Sequence, residues 1–148
     1  MANGKIVNTV LIGGMEFAAS TPSGHTIFMD AAEAGGGENN GPRPTELVLA
    51  GLGGCPAMDV ISILRKMREP VEGLEVSVNG EQANEHPHRF TNIHIEYVVY
   101  GSGITPANVE KAIRLSDERY CSVAATLRGV ATITHSYRIE PAPVKAAV

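Results

Sequence analysis

The chain contains two cysteines, Cys55 and Cys121, and each sits where a thiol could act. Cys55 lies in "GLGGCPAMDV", between the pair Gly53-Gly54 and Pro56, inside an otherwise apolar segment. If Pro56 opens a helical half, Cys55 is the residue that caps it. The free N–H groups of that first turn and the positive end of the helix dipole then favour a charged sulfur. Such a setting lowers a cysteine pKa from about 8.5 into a range of roughly 3.5 to 7.5. The flanking glycines carry no side chains to block approach, so the expectation is a reactive thiolate. From the local pattern alone, an inert core thiol stands beside that reading, because cysteine is among the most buried residue types.

Cys121 sits in "DERYCSVAATL", between two helical stretches. A junction of this kind can carry a side chain into a crevice, but sequence separation does not supply the Cα–Cα distance of about 4.4 to 6.8 Å that a disulfide needs. Asp59, one turn beyond Cys55, is expected to face solvent at a helix start rather than to orient a partner. Tyr120 is expected to pack. His86, His88 and His94 form a loose cluster in "HPHRFTNIH" and read as surface histidines at a strand start, since Pro87 interrupts them and no matched acid cluster accompanies them. His25 and His135 read as strand-face residues. No metal site is expected, and no Gly-x-Ser-x-Gly elbow points to a serine hydrolase.

Several elements must position these groups. "MEFAAS" and "HTIFMDA" flank the turn signal "TPSG", so residues 15–31 read as a hairpin. "AEAGGGENNGPRP" reads as a mobile loop and lacks the Gly-Lys-Ser/Thr of a P-loop. Residues 45–68 carry the longest helical pattern, apolar nearly all round and therefore buried on most sides. Pro56 inside it predicts a kink or two helices meeting at Gly53-Gly54. "LEVSVNGE" and "TNIHIEYVVY" alternate as half-buried antiparallel strands, with Ile93, Ile95, Tyr97 and Val99 on one face. Thr105 and Pro106 open a helix whose inner stripe is Val109, Ala112, Ile113 and Ser116. Ser122 caps a short helix, and "VATITHSYRIE" is a last strand, with Ala131, Ile133, Tyr137 and Ile139 on one face. The tail from Pro141 reads as loose. This order predicts an α+β fold with a mainly antiparallel sheet, in one domain over 1–148.

At 148 residues the chain is long enough to bury about two-thirds of its unfolded surface. Hydrophobic residues make up 43% and charged residues 19%, a globular balance. A net charge of -4 disfavours nucleic acid as a partner, which usually meets a basic face. The N-terminus lacks the apolar stretch of a signal peptide, and no run approaches the roughly 18 uninterrupted apolar residues of a membrane span. The expectation is a cytoplasmic protein without a membrane segment. In such a reducing compartment two cysteines are more often free, catalytic or redox-active than a permanent staple.

Three stretches, "GPRPTELVLAGLGGCPAMDVISILRKMR", "HPHRFTNIHIEY" and "ERYCSVAATL", resemble in order the OsmC/Ohr group of thiol-dependent peroxidases, especially its OsmC-like branch. With the flanking strands the resemblance covers roughly residues 15–140. It implies an intertwined homodimer, with sheets wrapped around long central helices and active sites at the subunit interface. It also implies a two-cysteine peroxidase of antioxidant function, with Cys55 as the peroxidatic and Cys121 as the resolving residue. An external dithiol is the reductant, and no metal or organic cofactor is required. Leu52, Met58 and Ile61 around Cys55 favour organic hydroperoxides over hydrogen peroxide. One departure stands out. The family pairs its thiolate with a glutamate ten positions earlier and an upstream arginine, whereas Thr45 holds that glutamate position here and no arginine precedes Arg43. Glu46 and Arg43 are the candidate substitutes, although one residue along a helix turns a side chain by about 100°. That departure keeps two alternatives open: a non-catalytic ligand-binding dimer of the same fold, or a thiol redox sensor.

Overall fold

The computed structural model describes residues 4–141, and its contacts divide the chain into two units, Met1–Val48 and Leu49–Val148. In the first unit, β1 (Asn8–Gly13), β2 (Glu16–Ser20) and β3 (Thr26–Met29) form an antiparallel sheet in that order. The expected hairpin is β2–β3, closed where Thr21 N–H donates to the His25 carbonyl at 2.8 Å. Along β1 every side chain is exposed, including Val10, Leu11 and Ile12.

The glycine-rich stretch after β3 is not the unanchored loop its composition predicts. Asp30, only 3% exposed, binds it from within. Its Oδ1 accepts the Ala31 N–H at 2.8 Å, and its Oδ2 accepts those of Glu38 and Asn40 at 3.0 Å each. The Asn40 N–H above all, with those of Glu38 and Ala31 and the nearby Arg43, holds the Asp30 carboxyl below its ordinary range. A short 3-10 turn, Glu33–Gly35, forms inside this clamp. Gly37 is required there, because a Cβ at that position would fall inside the Ala31 carbonyl group.

One continuous helix, α1 (Pro44–Lys66), replaces the expected break at Gly53-Gly54. Pro56 lies inside it, so the proline costs one ladder hydrogen bond without ending the helix. Burial on most sides is not what a single chain shows. Leu52, Pro56, Val60 and Leu64, at fourfold spacing, are its buried residues, while Val48 and Met58 are exposed. By length and mean composition α1 is apolar enough to cross a membrane, although Glu46 and Asp59 leave no uninterrupted apolar run of that length, and 22% of that apolar window is buried in the fold. Its buried stripe packs as a core helix does.

In the second unit, β4 (Gly73–Gln82) pairs antiparallel with β5 (Phe90–Tyr100), and β5 pairs with β6 (Thr132–Glu140) in parallel. The parallel pairing needs a long crossover. It is supplied by α2 (Pro106–Leu115), a π-helical turn (Ser116–Tyr120) and α3 (Ser122–Leu127). Leu52, Val60 and Leu64 of α1 share one apolar core with Ile93, Ile95, Tyr97 and Val99 of β5 and with Val109, Ala112 and Ile113 of α2. Alternation along β5 and the stripe on α2 thus lie where the sequence places them. Gly53 lets α1 approach β4, since a Cβ there would meet Val78 Cγ2 at 3.1 Å. Of the tail expected to be loose, residues 142–148 lie outside the described residues.

Candidate functional site

Cys55 stands in the interior of α1, so the cap geometry expected for it does not exist. What surrounds it comes instead from its own helix and from the crossover. Asp59 follows four residues later and therefore shares its helical face. On α2 the inner stripe ends at Ser116, which is fully buried. The π-helical turn then carries the chain from Ser116 to Cys121, whose N–H donates to the Ser116 carbonyl at 2.8 Å. That i→i+5 closure puts both residues against α1, and π-turns of this kind recur at functional sites.

The result is a cluster of Cys55, Asp59 and Cys121, with one donor atom from each lying within 4.8 Å of the other two. Both cysteines are free thiols; Cys55 is half-buried and Cys121 is 3% exposed. Asp59 points at this cluster rather than at solvent, which corrects the sequence expectation. Its Oδ2 accepts the Ser116 hydroxyl at 2.9 Å. Cys121, not Ser122, caps α3: its sulfur accepts the Ala124 N–H at 3.3 Å. Burial pushes the Cys121 thiol up to about 11; the Ala124 N–H pulls the other way, and Cys55 and Asp59 add to the rise. Cys121 is therefore a protonated thiol at neutral pH.

Tyr97 and His135 back the cluster and were missed as site residues. Burial first, then the Cys121, Asp117, Asp59 and Cys55 groups around it, hold the Tyr97 phenol well above the usual tyrosine range. Its hydroxyl lies 3.4 Å from His135 Nδ1. His135 Nε2 is buried 3.2 Å from Asp117 Oδ1, yet out of line for a hydrogen bond with it. Parity along β6 places His135 on the half-buried face with Ile133, Tyr137 and Ile139, and that signal would have found it.

Arg43 and Glu46 belong to the first unit, and their observed bonds are local. Glu46 Oε2 accepts the Arg43 N–H at 2.8 Å. The Arg43 guanidinium donates to the Gly41 carbonyl at 2.8 Å and to Asn39 Oδ1 at 2.7 Å, tying down the glycine-rich loop. Of the apolar residues named around Cys55, Leu52 is buried in the core. Met58 is 72% exposed and lines a separate cleft with Ile61 and Arg65. Tyr120 is 55% exposed and does not pack as expected. The His86 and His88 rings lie tilted at 53° with centroids 4.0 Å apart, and His88 Nδ1 lies 2.7 Å from the Ala83 carbonyl, which holds a turn.

A family described as "OsmC-like protein" matches residues 36–136, the span that holds α1, both cysteines, β4, β5 and the first half of β6. The chain belongs to the OsmC-like family. Protein YhfA of Escherichia coli strain K12 is 41% identical to it over 128 residues, covering 86% of this chain and 92% of YhfA. A hypothetical protein of Aquifex aeolicus VF5 has 30% identity and a TM-score of 0.78, with 94% of this chain and 99% of that one covered. An organic hydroperoxide resistance protein OsmC of Legionella pneumophila, at 16% identity and a TM-score of 0.69, shares the fold over 93% of this chain and 98% of its own. The OsmC-like architecture expected from the sequence, antiparallel strands with a long central helix, is thus established.

Proposed function

We propose that this OsmC-like protein is a thiol-dependent hydroperoxide reductase that works through Cys55 and Cys121. The observation that carries the reading is the placement of both sulfurs and the Asp59 carboxylate within 4.8 Å of one another. Cys55 is the attacking thiol, because it is the more exposed of the two while Cys121 is buried and held protonated. The Cys55 sulfur displaces an alkoxide from the peroxide O–O bond. Its thiol proton leaves through the Asp59 carboxylate to the alcohol, and a sulfenic acid remains. The Cys121 thiol then condenses with it, releasing water and closing a disulfide. An external dithiol restores both thiols by exchange. The name of the Legionella relative, organic hydroperoxide resistance protein, supports an organic hydroperoxide as substrate.

The working unit is a homodimer, one OsmC-like domain per chain. Support comes from the apolar surface that a single chain leaves uncovered: Val10, Leu11 and Ile12 on β1, Phe28 on β3, and Met58 on α1 are all about half exposed or more. The cytoplasm supplies the reducing compartment in which the thiols act.

A second reading, a redox sensor that closes its disulfide slowly, is favoured by two observations. The two family substitutes Arg43 and Glu46 are bonded to each other and to their own loop, and the Cys121 thiol is raised rather than lowered. One experiment tests both. Reduced protein is mixed with stoichiometric cumene hydroperoxide, and intact mass and free thiols are followed. Rapid loss of two thiols into an internal disulfide, with turnover once a dithiol donor is added, is the expected outcome. Disulfide formation without turnover under any donor selects the sensor. A Cys55→Ser protein that consumes hydroperoxide as fast as the parent overturns the nucleophile assignment.

A further inference from the structure

Among the described residues, Cys55, Asp59 and Cys121 are also the group of three metal-type ligands whose donor atoms converge. All three can be anionic, and Asp59 makes no ion pair with a lysine, arginine or histidine among those residues. A partly buried group of such donors with no protein cation beside it holds its charge only where a proton or a metal neutralises it.

The geometry fits a metal. Zinc binds thiolate at about 2.3 Å and carboxylate oxygen at about 2.0–2.2 Å, which spaces tetrahedral ligand atoms roughly 3.5–3.8 Å apart. Donor atoms that lie within 4.8 Å of one another need only side-chain rotation to reach that spacing. Two of the donors already carry the outer support that metal ligands have. Ser116 Oγ fixes Asp59 through Oδ2, Oδ1 has no hydrogen-bond partner among the described residues, and the Ala124 N–H donates to Cys121 Sγ. Soft sulfur donors select thiophilic ions over magnesium or calcium. Three protein donors leave a fourth position open, the pattern of an exchangeable site rather than a closed structural one.

We infer that the reduced protein binds a thiophilic divalent cation of the zinc type through Cys55 Sγ, Cys121 Sγ and an Asp59 carboxylate oxygen, and that this cation competes with hydroperoxide for the same two sulfurs. Binding is not a redox step. Two S–H bonds break, two metal–sulfur bonds form, and two protons leave to solvent for each cation taken up. Sulfurs held by the metal are not free to form the disulfide, so the ion brakes oxidation until it is removed. The inference rests on the proposed function only for this competition; the binding itself needs nothing but the reduced pair.

The test uses full-length protein, reduced and freed of metal under anaerobic conditions, with Co²⁺ as the spectroscopic probe and Zn²⁺ as its competitor. The expected result is a thiolate-to-cobalt charge-transfer band with tetrahedral visible bands, saturating at one equivalent and abolished by Zn²⁺. Two protons per zinc are released into weak buffer. Cys55→Ser, Cys121→Ser and the disulfide form lose the charge-transfer band. Asp59→Asn and Ser116→Ala keep both thiols and weaken binding by at least about tenfold. One equivalent of Zn²⁺ slows disulfide formation by cumene hydroperoxide at least about tenfold, and a chelator restores it. Absence of the band in folded, reduced protein overturns the inference, as does its survival in the disulfide form; unchanged affinity in Asp59→Asn overturns the three-donor site. Metal-free protein that reacts with hydroperoxide yet binds no cobalt sinks this inference alone. Protein that binds cobalt but ignores hydroperoxide sinks the peroxidase reading alone.

Discussion

The Ser116 hydroxyl, fully buried at the end of α2, donates to Asp59 Oδ2 on α1 at 2.9 Å. This bond fixes a carboxylate beside two thiols and joins the crossover to the long helix. Ser116→Ala removes the donor and leaves the carboxylate oxygen without its partner. The expected cost is about 1–3 kcal/mol of unfolding free energy, the usual penalty for an orphaned polar group. Disulfide closure slows in the same variant, because Asp59 is no longer held toward the sulfurs. Urea unfolding and stopped-flow thiol loss check the two effects. Parental values in both would mean that the bond does not position Asp59.

Much of this arrangement was legible from residue types and periodicity. The inner stripe of α2 named Ser116, and the alternation of β5 named Tyr97, because burial repeats every 3.6 residues on a helix and every two on a strand. The cluster itself was not legible. Asp59 read as a solvent-facing residue only because Cys55 was placed at a helix start. Propensity says that Pro56 breaks a helix, but the packing of Leu52, Val60 and Leu64 into the core outweighs one lost ladder bond. Once α1 is continuous, Cys55 and Asp59 must share a face. The π-turn that delivers Cys121 has no sequence signature. The Asp30 clamp escaped for a related reason: Asp30 reaches backbone N–H groups up to ten residues away, so it cannot be read from a local window.

The Asp30 clamp predicts acid sensitivity in the first unit. Its carboxyl is held below the ordinary value, chiefly by the Asn40 N–H, so the ionised form is the one the fold favours. The stabilisation is therefore fully present above the unfolded-state pKa of about 3.8 and is lost as pH falls through the lower folded value. Amide exchange at Ala31, Glu38 and Asn40 is expected to rise below about pH 4. Asp30→Asn should show that rise already at neutral pH, and Gly37→Ala should match it by forcing a side chain into the Ala31 carbonyl. Exchange at these amides that does not change with pH or with either substitution would refute the clamp.

Exposed apolar strands predict self-association. Phe28, 49% exposed on β3, and Leu11, 55% exposed on β1, are large side chains that a soluble single chain gains nothing by displaying. Leu11→Lys and Phe28→Glu place charges in that surface. If it is the dimer interface, the double variant sediments as a monomer while the parent sediments as a dimer. A parent that stays monomeric at micromolar concentration, or a double variant that remains a dimer, removes this surface from the assembly.

Cys121 predicts what becomes of oxidised Cys55. With the buried thiol in place, a sulfenic acid on Cys55 has a partner within 4.8 Å and condenses with it. Cys121→Ser keeps the size and the Ala124 N–H partner but removes the sulfur. In that variant the first oxidation still occurs, so one equivalent of hydroperoxide is consumed and a dimedone adduct appears on Cys55. Turnover with a dithiol then falls by at least about tenfold. Excess hydroperoxide drives Cys55 onward to the sulfinic and sulfonic acids, which dithiols do not reverse. Intact mass reports each state. Should Cys121→Ser turn over at the parental rate with no trapped sulfenic acid, Cys121 is not the resolving residue and the exogenous thiol attacks Cys55 directly.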